Sequence, residues 1–252
     1  MAVCHRFNIA DGPPTSHVFE GTWYFHYDLN VPHHVLDSHT NIFIHIPKTG
    51  GTSLLYLPPS EKGKVFNLGH IYARYYPPQY HSKLFTIVRN PYSRLVSAYM
   101  FMCRGGFNNN QEYKRLVQKF PTFESWVLYG LQKQDLIFDY ENVVTELTVP
   151  QHEYLCDEVD SRLPGDYIDG YESTRKKFLL PGHQILRFEN YAQDLEKYLH
   201  LPAEKQVHYN SSFPKGKEEL WKRYYNNKTV QDKVYRLYHL DFFHFDYSYE
   251  IE

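Results

Sequence analysis

Two short apolar runs, each passing directly into a turn and a helix start, limit what this chain can fold into more than any other feature. Asn41-Ile42-Phe43-Ile44-His45-Ile46 is nearly continuous in apolar, largely β-branched residues and enters the turn Pro47-Lys48-Thr49-Gly50-Gly51-Thr52-Ser53. Leu84-Phe85-Thr86-Ile87-Val88-Arg89 repeats the pattern and enters Asn90-Pro91, a capping residue followed by proline at the first helical position. Apolar runs that do not alternate mark strands covered on both faces, as in a parallel sheet with helices on either side. The first helix is expected from Ser53 to Leu57, ended by Pro58-Pro59. The second places Tyr92, Leu95, Val96, Tyr99 and Met100 on one apolar face at helical spacing.

Further strands are expected at residues 64–68, closing on Gly69-His70, and at 184–189. Helical stripes follow in Tyr191, Leu195, Tyr198 and Leu199 and again in Val230, Val234, Leu237 and Tyr238. This alternation predicts an α/β single domain over residues 41–252, a central mostly parallel sheet flanked by helices, with ligands outside the carboxyl ends of the strands. Its 252 residues, 42% hydrophobic, suffice for a full core. Residues 1–40 hold Pro13, Pro14, Pro32 and the cluster Trp23-Tyr24-Phe25 without a sustained period, and are expected to form an irregular arm.

A formal charge of −2 argues against a long polyanion as partner, so no nucleic acid is expected and any anion site must be local. Three widely spaced cysteines, Cys4, Cys103 and Cys156, fit neither a disulfide framework nor a zinc site. The sequence contains no signal-like run and no apolar stretch long enough for a membrane span, so a cytoplasmic location is expected. The acceptor-like triplets at Asn210 and Asn227 carry little weight without a secretory route.

The first turn carries the chemistry of an anion cradle. Adjacent Gly50 and Gly51 let backbone N–H groups approach an anion, Lys48 brings a charge, and Thr52 and Ser53 bring hydroxyls at a helix start. A phosphate or phosphosulfate suits it. The ATP-binding pattern Gly-x-x-x-x-Gly-Lys-Ser/Thr places its lysine after the last glycine, whereas Lys48 precedes both, which disfavours a triphosphatase. The second turn places Arg89 at a strand end with Ser93 and Ser97 on one helical face, a second set of donors for phosphate oxygens. Two anion sites on neighbouring strand ends suit a nucleotide phosphorylated at two separate positions.

Ile44-His45-Ile46-Pro47-Lys48-Thr49-Gly50-Gly51-Thr52-Ser53 resembles the 5′-phosphosulfate loop of sulfotransferases that use 3′-phosphoadenosine 5′-phosphosulfate (PAPS). Residues 87–99, IVRNPYSRLVSAY, resemble the 3′-phosphate motif of the same family, including the step from Arg89 to Ser97. Weaker likeness at 186–191 and 241–247 extends the resemblance over roughly residues 41–247, closest to the Golgi-type carbohydrate O-sulfotransferases. The membrane anchor usual in that branch is not seen in this sequence. The resemblance implies the P-loop-like PAPS-binding fold, PAPS as donor and PAP as product, no metal, and a hydroxylated acceptor that is a glycan or a smaller metabolite. It implies donor contacts from Lys48, Thr49, Gly50, Gly51, Thr52, Ser53, Arg89 and Ser97, with Lys48 also stabilising the leaving oxygen. Lys215, in a loosely matching later loop, is left unassigned.

Transfer to a hydroxyl calls for a base. His70, between the two motifs in Asn67-Leu68-Gly69-His70, is the expected one, by its position and by the histidine that related glycan enzymes carry there. His45, inside a buried strand, is expected to be a satisfied core group, and neither His33-His34 nor the histidines of 239–244 have metal partners in the sequence. Arg187 and Glu189 are expected to pair structurally, Trp126 and Trp221 to pack in helices, and the lysines of 215–222 to form a solvated face. Two alternatives stand beside the sulfotransferase: a nucleotide kinase or triphosphatase on a related sheet, and a non-catalytic PAP-binding protein.

Overall fold

The computed structural model describes residues 18–19, 22–23, 41–58, 65–67, 69–106, 109–132, 145–157, 178–206 and 218–251. Within the amino-terminal forty these form two short antiparallel strands, β1 (Val18–Phe19) and β2 (Thr22–Trp23). The main sheet joins β3 (Ile42–Ile44), β4 (Leu84–Val88) and β5 (Ile185–Arg187), all parallel, with β4 in the centre. The mostly parallel sheet flanked by helices is therefore present.

Side chains sort between the two faces with the strand period. Ile42, Ile44, Leu84 and Val88 meet Tyr72, Tyr76, Tyr154, Leu155 and Leu180 on one side. Phe43, Phe85, Ile87 and Leu186 meet Leu54, Leu57, Leu195 and Leu199 on the other. Thr86, fully buried in the central strand, is satisfied because its hydroxyl donates to the Ile44 carbonyl at 2.8 Å.

The expected strand at 64–68 is reduced to one bridge, Phe66 beside Ile42, with residues 64 and 68 outside the described set. Phe43 N–H donates to Phe66 O and Phe66 N–H to Asn41 O, but the Phe43 carbonyl is taken by the Asn67 amide at 2.9 Å. That side chain also accepts the N–H of Gly69, whose φ of 94° suits glycine, and the chain turns away toward His70.

Helix α1 (Gly51–Leu55) begins two residues before the expected Ser53, because Gly50 takes the left-handed cap position at φ 91°. Helix α2 (Pro91–Cys103) starts under the Asn90 cap, whose side chain accepts the N–H groups of Tyr92 and Ser93. The single apolar face expected for α2 is too narrow a description: residues 91–99 are all buried. The rest of the helical layer surrounds it, namely α3 (Gln111–Lys119), α4 (Phe123–Ser125) with the turn running on to Gly130, and α5 (Thr145–Thr148). The turn Glu218–Tyr225 and the long α7 (Lys228–His244) complete the layer, while α6 (Tyr191–Leu199) covers the opposite face of the sheet. Trp126 stacks on Tyr99 and Trp221 on Tyr92, so both tryptophans pack against α2. Asn227 caps α7 by accepting the Thr229 N–H. No helix among the described residues is long and apolar enough to cross a membrane.

A buried polar strut ties α7 to the end of β4. Asp241, fully buried, accepts the Gln151 N–H at 2.8 Å, the His152 N–H at 2.9 Å and His152 Nδ1 at 2.7 Å. The Gln151 amide in turn accepts the Arg89 N–H and donates to the Arg89 carbonyl, at 2.8 and 2.7 Å. Burial alone would lower the His152 pKa, but Asp241 and Glu153 outweigh it and raise it to about 9. A group so raised stabilises fully below its ordinary value, and that contribution is lost as pH climbs from about 6.5 through 9. Urea unfolding at pH 6 and at pH 9.5 should show this loss, and His152→Gln should flatten it. Asp241→Ala should cost about 3–5 kcal/mol at pH 6, since it strips the buried His152 of its Nδ1 carboxylate, leaving only Glu153 at Nε2, and leaves the Gln151 and His152 N–H groups without their acceptor.

Candidate active site

The carboxyl ends of β3, β4 and β5 and the Phe66 bridge deliver four groups to one place. They are the turn 45–50, Arg89, Phe188 and His70. The turn is tightly specified. Lys48 holds a left-handed φ of 68°, a strained conformation for a residue with a side chain, of the kind that collects at functional sites. Thr49 is fully buried and its hydroxyl donates to the Ile46 carbonyl at 2.8 Å, so it closes the turn and offers a ligand only its backbone. Ser53 is buried and hydrogen-bonded to Tyr191, whereas Thr52 is partly exposed. Gly51 has no room for a side chain, because a Cβ there would lie 2.3 Å from the His45 ring and 2.7 Å from Phe43.

Arg89 joins the second turn to the first. Its Nε donates to Ser93 Oγ at 2.8 Å and its Nη1 to the Lys48 carbonyl at 3.2 Å, while the guanidinium lies 4.1 Å from the centre of the Phe188 ring. Ser97, one turn further along α2, is buried. Burial lowers Arg89 to about 10, partly offset by Glu189. Arg94, absent from the expected set, donates from Nε to the Pro47 carbonyl at 3.0 Å and is almost fully buried.

The charge balance is one-sided. Lys48 is lowered to about 7 by burial and then by Arg89, Arg104 and Arg94, and its ammonium lies 3.9 Å from the centre of the Phe101 ring. An anion would relieve this crowding of cations, and the carbonyl-bound arginines keep the cluster assembled without one.

His70 reaches the same place. Its Nδ1 meets the carboxylate of Glu146 on α5, and its ring packs edge-on against His45 at 4.4 Å, yet the side chain stays 17% exposed. Burial, then the charges of His45, Lys48 and Arg94, push its pKa well below the usual imidazole value, so the ring is neutral. With Nδ1 turned to a carboxylate, Nε2 carries the free lone pair. His45 is more deeply placed: it stacks on Phe43, lies against Gly51, and is lowered to about 3 by burial and Lys48.

Glu146, Gln151, Arg94 and Asp241 escaped sequence reasoning, because none stands in a glycine-rich turn or at a long strand's end. Arg94 alone had a readable signal, a charged residue inside an otherwise apolar helix start. The expected Arg187–Glu189 pair does not form. Glu189 accepts the Asn90 N–H at 2.8 Å and the Tyr247 hydroxyl at 2.9 Å, and Arg187 donates to the Phe245 carbonyl and lies over the Tyr247 ring. Lys222 pairs with Glu219 on the surface at 2.9 Å, while Lys215 and the loop around it lie outside the described residues. Among the described residues no group of His, Cys, Asp and Glu is arranged to hold a metal ion.

Compared with known families, residues 71–248 match the profile described as the Sulfotransferase family. That span takes in Arg89, Ser93, Arg94, Ser97 and Asp241 and starts one residue after His70, leaving the Lys48 turn outside it. No curated protein and no solved structure matches the chain.

Gly51→Ala should destabilise the protein by about 1–3 kcal/mol through overpacking. In the His45→Ala background, where only the Phe43 contact remains, the same substitution should cost less, and a thermal-melt double-mutant cycle reads the coupling directly.

Proposed function

The chain belongs to the sulfotransferase family, and on that premise we propose that it transfers a sulfuryl group from PAPS to a hydroxyl, with a carbohydrate as acceptor. The observation that carries this reading is the cluster of Lys48, Arg89 and Arg94 around two joined turns, in which burial and then the neighbouring arginines leave Lys48 near pKa 7. The donor set fits a nucleotide with anionic groups at both ends. Lys48, the backbone of 49–51 and the hydroxyls of Thr52 and Ser53 suit the 5′ phosphosulfate. Arg89 and Ser97 suit the 3′ phosphate.

PAPS, when bound, supplies a sulfuryl group on a good leaving phosphate. His70 takes the acceptor's proton at Nε2 while the acceptor oxygen forms its bond to sulfur in line with the departing oxygen. Glu146 steadies the imidazolium that results, as a positioning carboxylate. Lys48 neutralises the charge that grows on the phosphate oxygen as the sulfur–oxygen bond breaks. His70 is favoured over His45 as base because it keeps an exposed edge and a carboxylate partner, whereas His45 is wedged between Phe43 and Gly51.

Thermal melting with PAP should raise Tm, and ATP with magnesium should not; the opposite pattern would point to a nucleotide kinase. With labelled PAPS and a glycan panel, His70→Ala should retain PAP affinity and lose transfer by about a hundredfold or more. Near-wild-type transfer by His70→Ala would remove His70 from the mechanism, and absence of label on any glycan or phenol would favour the non-catalytic reading.

A further inference from the structure

Arg94 is more than a brace for the Pro47 turn. The residue is 2% exposed, and among the described residues its hydrogen bond is from Nε to the Pro47 carbonyl. Nη2 is buried and has no hydrogen-bond partner among the described residues. The nearby buried carboxylate does not take it up: Asp241 already accepts from two backbone N–H groups and from His152. Leaving a charged donor unmet inside a protein is costly, and a brace for one carbonyl would need only one donor. The same charge bears on Lys48, Arg89 and His70, so Arg94 lies among the groups that would surround a reacting anion.

We propose that Arg94 is a further donor-binding residue, whose Nη2 N–H groups are reserved for a phosphate or sulfate oxygen at the 5′ end of PAPS. The assignment rests on the PAPS reading above. It is placed at the 5′ end because Nε is fixed to Pro47 inside that turn, whereas Arg89 with Ser93 forms the other end. Arg94 thus has two duties, holding the turn from one nitrogen and meeting the ligand from another, as the forked geometry of guanidinium allows.

Calorimetric titration of the wild type, Arg94→Lys and Arg94→Gln with adenosine 5′-phosphosulfate and with adenosine 3′-monophosphate separates the two duties. The 5′-phosphosulfate should bind both variants about tenfold more weakly or worse, and the 3′-monophosphate should bind within about twofold of wild type. Equal loss for both nucleotides with a lowered Tm would reduce Arg94 to a brace, and loss confined to the 3′-monophosphate would overturn its placement. Unchanged binding of both would overturn the proposal while leaving the PAPS reading intact. If the wild type binds neither nucleotide nor PAP, the PAPS reading fails and this proposal with it. Should both variants unfold, a crystal structure of the wild type with adenosine 5′-phosphosulfate decides: an oxygen about 3 Å from Nη2 is expected, and an Nη2 without one would refute the assignment.

Discussion

Two arginines of one strand–helix unit grip the carbonyls of the neighbouring unit's turn, and the candidate site depends on that grip. Arg89 reaches Lys48 O and Arg94 reaches Pro47 O, so the left-handed Lys48 is held from both sides. The bonds cross between adjacent parallel strands and fix the spacing of the two turns. They also bring three cations within mutual repulsion, which the protein tolerates because each guanidinium is paid in carbonyl bonds. The resulting site is preorganised for negative charge rather than assembled by it.

The grip is itself supported from below. Asp241 on α7 fixes the Gln151-His152 turn, and the Gln151 amide clasps both backbone groups of Arg89. Glu189, just beyond β5, fixes the next residue by accepting the Asn90 N–H. The strand end that carries Arg89 is therefore immobilised by two distant parts of the chain, and every element of this support falls in the span matched to the family. The Lys48 turn and His70 lie before that span, and their inclusion in the site rests on the contacts that Arg89, Arg94 and Glu146 make with them.

What could be read from the sequence was local and periodic. The apolar runs at 42–44 and 84–88 announced doubly covered strands, and Asn90-Pro91 announced a capped helix. Gly50 and Gly51 announced a turn open to close backbone approach, and the fold adds a reason the sequence did not show, the packing of these positions against Phe188 and His45. The misses share a different cause. Residue 67 could not be recognised as a strand breaker, because its amide acts on a carbonyl 24 positions away. Gln151 and Asp241 meet Arg89 and Gln151 over separations of 62 and 90 residues, from short turns and from inside a long helix. Burial of α2 on all sides likewise depends on partners that only the folded chain brings together.

The central claim is a single site that holds one nucleotide by two anionic ends. Titration calorimetry of the wild-type protein with adenosine 3′,5′-bisphosphate, set against adenosine 5′-monophosphate at one salt concentration, tests it most directly. With each phosphate held by charge-assisted hydrogen bonds of about 1.5–3 kcal/mol, the bisphosphate should bind at least about tenfold more tightly. Equal affinity for the two nucleotides would contradict the account, because the Arg89 end would then contribute nothing to holding the ligand.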